Sequence, residues 1–118
     1  NRLFVGFTPA VSSKALKAMR QTTRQWNLRN RTDLDLTEIA RMFNPVLRGW
    51  LQYYGRFHVS AMNPVWRHFN QTLIAWAKKK FRKLRGHTTR AGLFIEGVSK
   101  RQPHLFVHWQ PGMVGMFA

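Results

Sequence analysis

The sequence predicts a mainly α fold, a three-helix bundle with a short N-terminal strand and an irregular C-terminal extension. Two observations carry that expectation. Apolar residues recur at helical spacing in three long segments, and each segment opens on helix-capping residues. At 118 residues the chain suits one domain with a modest core and has no room for two. A hydrophobic fraction of 44% with five Trp and nine Phe is too apolar for disorder, so a packed core is expected in spite of the charge.

Leu3, Val5 and Phe7 alternate with Arg2, Phe4 and Gly6, a period-two pattern for a short strand that Thr8 and Pro9 end. Ser12 or Ser13 then caps a first helix running to about Trp26. Ala15, Leu16, Met19, Thr22 and Trp26 share its inner face, and Lys14, Lys17, Arg20 and Arg24 occupy the opposite one. Residues 27–35 are polar and turn-rich and read as a loop. Thr37 is the expected cap of the next helix, with Glu38 in its first turn where the helix dipole favours negative charge. Leu36, Ile39, Ala40 and Phe43 turn inward.

Asn44 and Pro45 together are helix-start grammar: Asn accepts from orphan backbone donors, and Pro at the first position gives up an N–H that had no partner. A kink or break at Asn44 is therefore expected. Beyond it, Val46, Leu47, Trp50, Leu51, Tyr53, Tyr54 and Phe57 form a broad apolar side, opposite Arg48, Gln52 and Arg56. Gly49 and Gly55 cost roughly 1 kcal/mol each relative to Ala inside a helix, which points to a close approach of another backbone.

A third helix starts at Ser60 or Asn63 and extends to about Arg85, with Gly86 as its terminator. Met62, Trp66, Phe69, Leu73, Trp76, Ala77, Phe81 and Leu84 make its apolar arc. Arg67, Gln71, Lys78, Arg82 and Arg85 form a basic rail beside that arc. Lys80 falls within the apolar arc, so either the core ends before it or its stem snorkels along the bundle's edge. Arg90 to Arg101 has helical spacing with Leu93, Phe94 and Val98 inward, weakened by Gly92 and Gly97. Leu105 to Trp109 has strand-like composition, and the tail from Pro111 is loosely held.

Twenty Lys plus Arg against four acids give a formal charge of +16, a field that repels itself unless a polyanion neutralises it. Nucleic acid is the first candidate and an anionic membrane surface the second. No apolar run approaches the roughly 18 residues needed to span a bilayer, and no signal segment is present. The absence of cysteine excludes disulfides and thiolate metal sites. Asp33, Asp35, Glu38 and Glu96 do not make the carboxylate cluster that a two-metal polymerase needs, and no buried acid is nominated to orient a base. The histidines His58, His68, His87, His104 and His108 lack metal-ligand spacing. No cofactor, metal or catalysis is expected; phosphate recognition remains, with Tyr53, Tyr54 and His58 as candidate base stackers against a core role for the tyrosines.

The segment FNPVLRGWLQYYGRF, Phe43 to Phe57, resembles the signature of the group II intron maturase-specific domain, known also as domain X or the thumb of group II intron reverse transcriptases. Asn44, Pro45, Leu47, Arg48, Gly49, Trp50, Tyr53 and Tyr54 carry the match. Residues 9–20, PAVSSKALKAMR, support it upstream, and residues 103–110, PHLFVHWQ, support it downstream. The resemblance implies a thumb-like helical domain that helps an intron RNA fold for splicing and grips the template–primer duplex during reverse transcription. Its partners would be group II intron RNA, an RNA/DNA duplex and an upstream reverse transcriptase region of the same polypeptide, with no membrane. The mid-strand opening at Asn1 leads to the expectation of an excised piece, with 1–8 as a linker strand and 87–118 as the C-terminal extension. Expected RNA contacts are Lys14, Lys17, Arg20, Arg24, Arg48, Arg56, Arg67, Lys78, Lys79, Arg82, Lys83 and Arg85. The expected location is the bacterial cytoplasm, with an organelle as alternative. The rival readings are a helix-turn-helix DNA-binding module and a structural ribonucleoprotein subunit; basic residues spread over three helices argue against the first, and the Phe43–Phe57 segment against the second.

Overall fold

The computed structural model describes residues 12–54 and 62–109. Four α-helices follow one another, α1 (Ser13–Gln25), α2 (Leu36–Tyr54), α3 (Asn63–Lys80) and α4 (Thr88–Arg101), with short 3-10 turns at Leu28–Asn30, Arg82–Leu84 and Val107–Trp109. The expected strand at 2–7 lies outside the described residues. Mainly α holds, and among the described residues the α-helices number four. Burial of Ala91, Gly92, Ile95, Val98 and Ser99 offsets the intrinsic cost of two glycines, so the helical spacing of 90–101 is realised as a helix over 88–101 within the stretch expected to be an irregular extension. Leu93, expected inward, is exposed.

The Ser12 hydroxyl accepts from Ala15 N at 3.1 Å and caps α1. The cap of α2 is Asp35 in place of the expected Thr37. Asp35 Oδ1 accepts from Glu38 N at 2.8 Å and Glu38 Oε1 accepts from Asp35 N at 3.0 Å, so two orphan donors are satisfied reciprocally. Pro45 does not break α2. Ile39, Ala40, Phe43 and Leu47 form one buried face that runs through the proline, and this packing on both flanks holds the helix across the lost hydrogen bond.

Asn44 is not a cap either: its Nδ2 donates to Leu105 O at 2.9 Å and its Oδ1 accepts from Val107 N at 3.1 Å. The segment it holds is a buried turn and not a strand, with Phe106, Val107, His108 and Trp109 all inside. Asn70 of α3 grips the same segment, because its Oδ1 lies 2.6 Å from His108 Nε2 and accepts from Trp109 Nε1 at 3.0 Å. His108 therefore carries its proton on Nε2, and its Nδ1 is buried without a partner. Its ring stacks on Trp66 at 5.5 Å and meets Phe69 edge-on at 5.3 Å.

α3 is the central element. Val65, Trp66, Phe69, Asn70, Leu73, Ile74, Trp76 and Ala77 are buried along it, and α1, α4 and the Leu28–Asn30 turn pack against it. At the end of α1, Trp26 stacks on Phe43 at 4.4 Å and on Trp50 at 5.9 Å, tying α1 to α2. Trp50 is half-buried there and Val46 is exposed, so the apolar side of α2 is narrower than expected. Among the described residues a Cβ added at Gly49 would meet nothing within 4 Å, so none of them makes the close backbone approach expected at that glycine; Gly55 lies outside the described residues.

α3 ends at Lys80, five residues before the expected Arg85. Phe81 turns extended (φ −103°, ψ 120°), which lets its ring meet Trp76 at 5.8 Å and Phe94 of α4 at 5.3 Å, both edge-on. Gly86 adopts φ +78°, the left-handed conformation that favours glycine, and so serves the link into α4 instead of terminating α3.

Candidate nucleic-acid interface

The surface begins with a loop that the core holds in place. Residues 27–34 join α1 to α2, with Leu28 and Leu34 buried, and three donors from α3 grasp the loop. Trp76 Nε1 donates to Arg31 O at 2.9 Å, and Lys80 Nζ donates to Thr32 O and Leu34 O, each at 2.9 Å. The Lys80 stem does snorkel: its ammonium passes 5.6 Å from the Trp76 ring centre and ends on backbone carbonyls. Lys79 Nζ donates to Asn30 Oδ1, and Asn30 Nδ2 donates to Asn27 Oδ1 at 2.6 Å. Asn27 has φ 52°, a conformation Asn tolerates better than most residues. Arg31 pairs with Asp33 through two 3.1 Å contacts, and this pairing holds the Asp33 carboxyl below its ordinary range.

The loop forms a ridge between two grooves on the same side of α3. One, about 480 Å³, is lined by Thr23 and Arg24 of α1, Asn27, Leu28 and Arg29 of the loop, and His68, Gln71, Thr72 and Ala75 of α3. The other, about 560 Å³, is lined by Asn30 and Thr32 of the loop, Lys78 and Lys79 of α3, and Arg85 and Gly86. On a helical wheel Arg67, His68, Gln71, Thr72, Ala75, Lys78 and Lys79 fall within about 140° of arc, so the outer strip of α3 links both grooves. His68 is half-buried, and its Nε2 is shielded from solvent without a partner. Desolvation, then the charges of Arg24 and Arg20, lower the pKa of its imidazole.

The expected contact residues divide accordingly. Lys78, Lys79 and Arg85 come together around the larger groove and Arg24 lines the smaller, with Arg20 near enough to act on His68. Lys78 Nζ also donates to Thr88 Oγ1 at 2.8 Å. Lys14, Lys17, Arg48, Arg67, Arg82 and Lys83 are exposed and line neither groove. The basic rail does not run on to Arg82 and Arg85, because the helix stops at Lys80. Arg56 and His58 lie outside the described residues, as do the side chains of Tyr53 and Tyr54. Asn27, Arg29, His68, Gln71, Thr72 and Ala75 were not anticipated as a group; Gln71 alone had a place in the sequence pattern, in the basic rail beside the apolar arc.

Three of the four acids are engaged locally, Asp33 with Arg31 and Asp35 and Glu38 in the α2 cap. Among the described residues no group of three His, Asp or Glu side chains could hold a metal ion, and no helix is long and apolar enough to cross a membrane. No curated protein and no solved structure matches the chain. A family model does: the group II intron, maturase-specific domain, over residues 16–92, which takes in most of α1, all of α2 and α3, and the start of α4.

Proposed function

Since the chain belongs to the group II intron maturase-specific domain family, we propose that it binds intron RNA and assists its splicing, and that it grips the template–primer duplex during reverse transcription. The observation that supports this reading is the side of α3 where Lys78, Lys79 and Arg85 border one groove and Arg24 and Arg29 border the next. Cations set on a rigid helix and a braced loop neutralise phosphates and release condensed counterions. Structured RNA hides its base edges in a deep groove, so a helical surface of this kind reads backbone, shape and 2′-hydroxyls. The chain contributes no catalysis in this reading; a reverse transcriptase region upstream in the same polypeptide supplies it. The setting is the bacterial cytoplasm, or an organelle in the alternative.

The experiment is filter binding of the 118-residue chain to a folded intron RNA across a salt series, with duplex DNA of equal length as competitor. Affinity should fall on the order of a thousandfold between 50 and 200 mM salt. Folded RNA should outcompete the duplex DNA. A flat salt response, or preferential displacement by one DNA sequence, overturns the reading.

A further inference from the structure

The two walls of the larger groove differ in chemistry. One is cationic: Lys78 and Lys79 stand at the end of α3, Arg85 follows in the link to α4, and no carboxylate among the described residues lines the groove to offset them. Each ammonium is oriented by one bond, Lys78 Nζ to Thr88 Oγ1 at 2.8 Å and Lys79 Nζ to Asn30 Oδ1. An ammonium carries three donors, so each lysine keeps two for a ligand. The Arg85 guanidinium is exposed and bonds to none of the described residues. The other wall, from the 27–34 loop, is neutral and consists of Asn30 and Thr32. Asn30 is spent, its Oδ1 on Lys79 and its Nδ2 on Asn27. Thr32 is not. Lys80 Nζ fixes its carbonyl at 2.9 Å and Trp76 Nε1 fixes the carbonyl before it at 2.9 Å, while its exposed hydroxyl has no partner among the described residues. A hydroxyl that can both donate and accept is thus held on a braced backbone across the groove from three cations.

We infer that this groove seats one ribose–phosphate unit of the bound RNA, its phosphate on Lys78, Lys79 and Arg85 and its 2′-hydroxyl on the Thr32 hydroxyl, which makes Thr32 a residue that tells RNA from DNA. The inference rests on the RNA-binding reading and adds the place where the sugar is read. A bare phosphate would use the cationic wall alone and leave Thr32 idle. A sugar joined to its phosphate engages both walls, and the volume of about 560 Å³ lies in the roughly 300–1,000 Å³ span of sites that take small molecules. Cations by themselves do not distinguish the two nucleic acids, because both carry the same phosphates. The 2′-hydroxyl, a donor and an acceptor, is the group that does.

The probes are a fully paired RNA hairpin and the same hairpin carrying 2′-fluoro sugars, which keep the A-form shape and the phosphates and lack the hydroxyl. Both are titrated against the 118-residue chain by fluorescence anisotropy. Wild type should bind the RNA hairpin about fivefold more tightly than the fluoro hairpin, the worth of one hydrogen bond. Thr32→Val keeps the carbonyl that Lys80 holds and removes the hydroxyl. It should bring the ratio of the two affinities close to one while leaving the affinity for the fluoro hairpin unchanged, and Thr32→Ser should keep the wild-type ratio. Arg85→Ala should weaken both hairpins equally and reduce the salt slope by about one. Equal affinity of wild type for both hairpins, or an unchanged ratio in Thr32→Val, overturns the sugar contact while leaving RNA binding intact. An unchanged salt slope in Arg85→Ala overturns the phosphate seat. Failure to bind either hairpin overturns the RNA reading itself, and this inference with it.

Discussion

Lowering the pH should destabilise this protein through one buried imidazole. His108 is fully buried among Trp66, Phe69, Phe106 and Trp109, and desolvation pushes its pKa from 6.5 down to about 3. In the unfolded chain the same group takes up a proton near its ordinary value. Between those two values the unfolded state binds a proton that the folded state refuses, so stability is complete above about pH 6.5 and is lost as the pH falls towards 3. Each pH unit in that window is worth about 1.4 kcal/mol. Between pH 6.5 and about pH 4 the expected loss is therefore roughly 3 kcal/mol, a large fraction of the stability of a small domain. His108→Phe keeps an aromatic ring in the stack and removes the titration. Urea unfolding of both proteins at a series of pH values gives the measurement; contributions shared by the two, such as the lowered Asp33 carboxyl, cancel in the difference. Parallel stability curves for wild type and His108→Phe would refute the reasoning, since they would mean that the imidazole reaches water or finds a counter-charge in the folded state.

The clamp on the closing segment predicts that Asn44→Ala costs about 1 to 3 kcal/mol, because the substitution leaves the Leu105 carbonyl and Val107 amide without their partner. Hydrogen exchange of residues 105–109 should accelerate well before the rest of the molecule, and uniform acceleration would count against a local clamp. Trp66→Ala should cost roughly 3 to 5 kcal/mol, and Trp50→Ala distinctly less, because Trp66 is 1% exposed while Trp50 only packs against the core from its edge; denaturant melts that reversed the order would contradict the burial. Occupation of the smaller groove by a phosphate should raise the pKa of His68, which desolvation, Arg24 and Arg20 now depress. An NMR titration of the His68 ring with and without RNA reads that shift, and an unchanged titration would place the phosphate elsewhere.

What could be read in the sequence was what depends on near neighbours. A serine cap at 12 or 13, the apolar arc of α3 from Trp66 to Ala77 and the segregation of Lys14, Lys17, Arg20 and Arg24 to the outside of α1 follow from spacing alone. At the start of α2 the expected cap was Thr37, and the reciprocal bonds between Asp35 and Glu38 put the cap at Asp35 instead. The larger misses came from long-range pairing. Asn44 beside Pro45 reads as the start of a helix, yet its amide is spent on a segment sixty residues away. Residues 105–109 read as a strand because the aromatic composition that suits a sheet also suits a buried turn. The smaller groove was hidden for a related reason. His68, Gln71, Thr72 and Ala75 are unremarkable on a helix until the 27–32 loop is folded against them, and the bonds that fold it come from Trp76 and Lys80.

That bracing sets the thermodynamic character of the surface. A free loop of this length would surrender backbone freedom worth roughly 1 to 2 kcal/mol per residue when a polyanion fixed it, and affinity would be reduced by that amount. Here Trp76 and Lys80 immobilise the carbonyls of Arg31, Thr32 and Leu34 during folding, so little ordering is left for the encounter. Association should accordingly be fast, and the heat of binding should be small, with the entropy of ion release as the main driving force. Substitutions at Trp76 would weaken binding by loosening a loop several residues away, although that indole, 1% exposed, is shut away from any ligand.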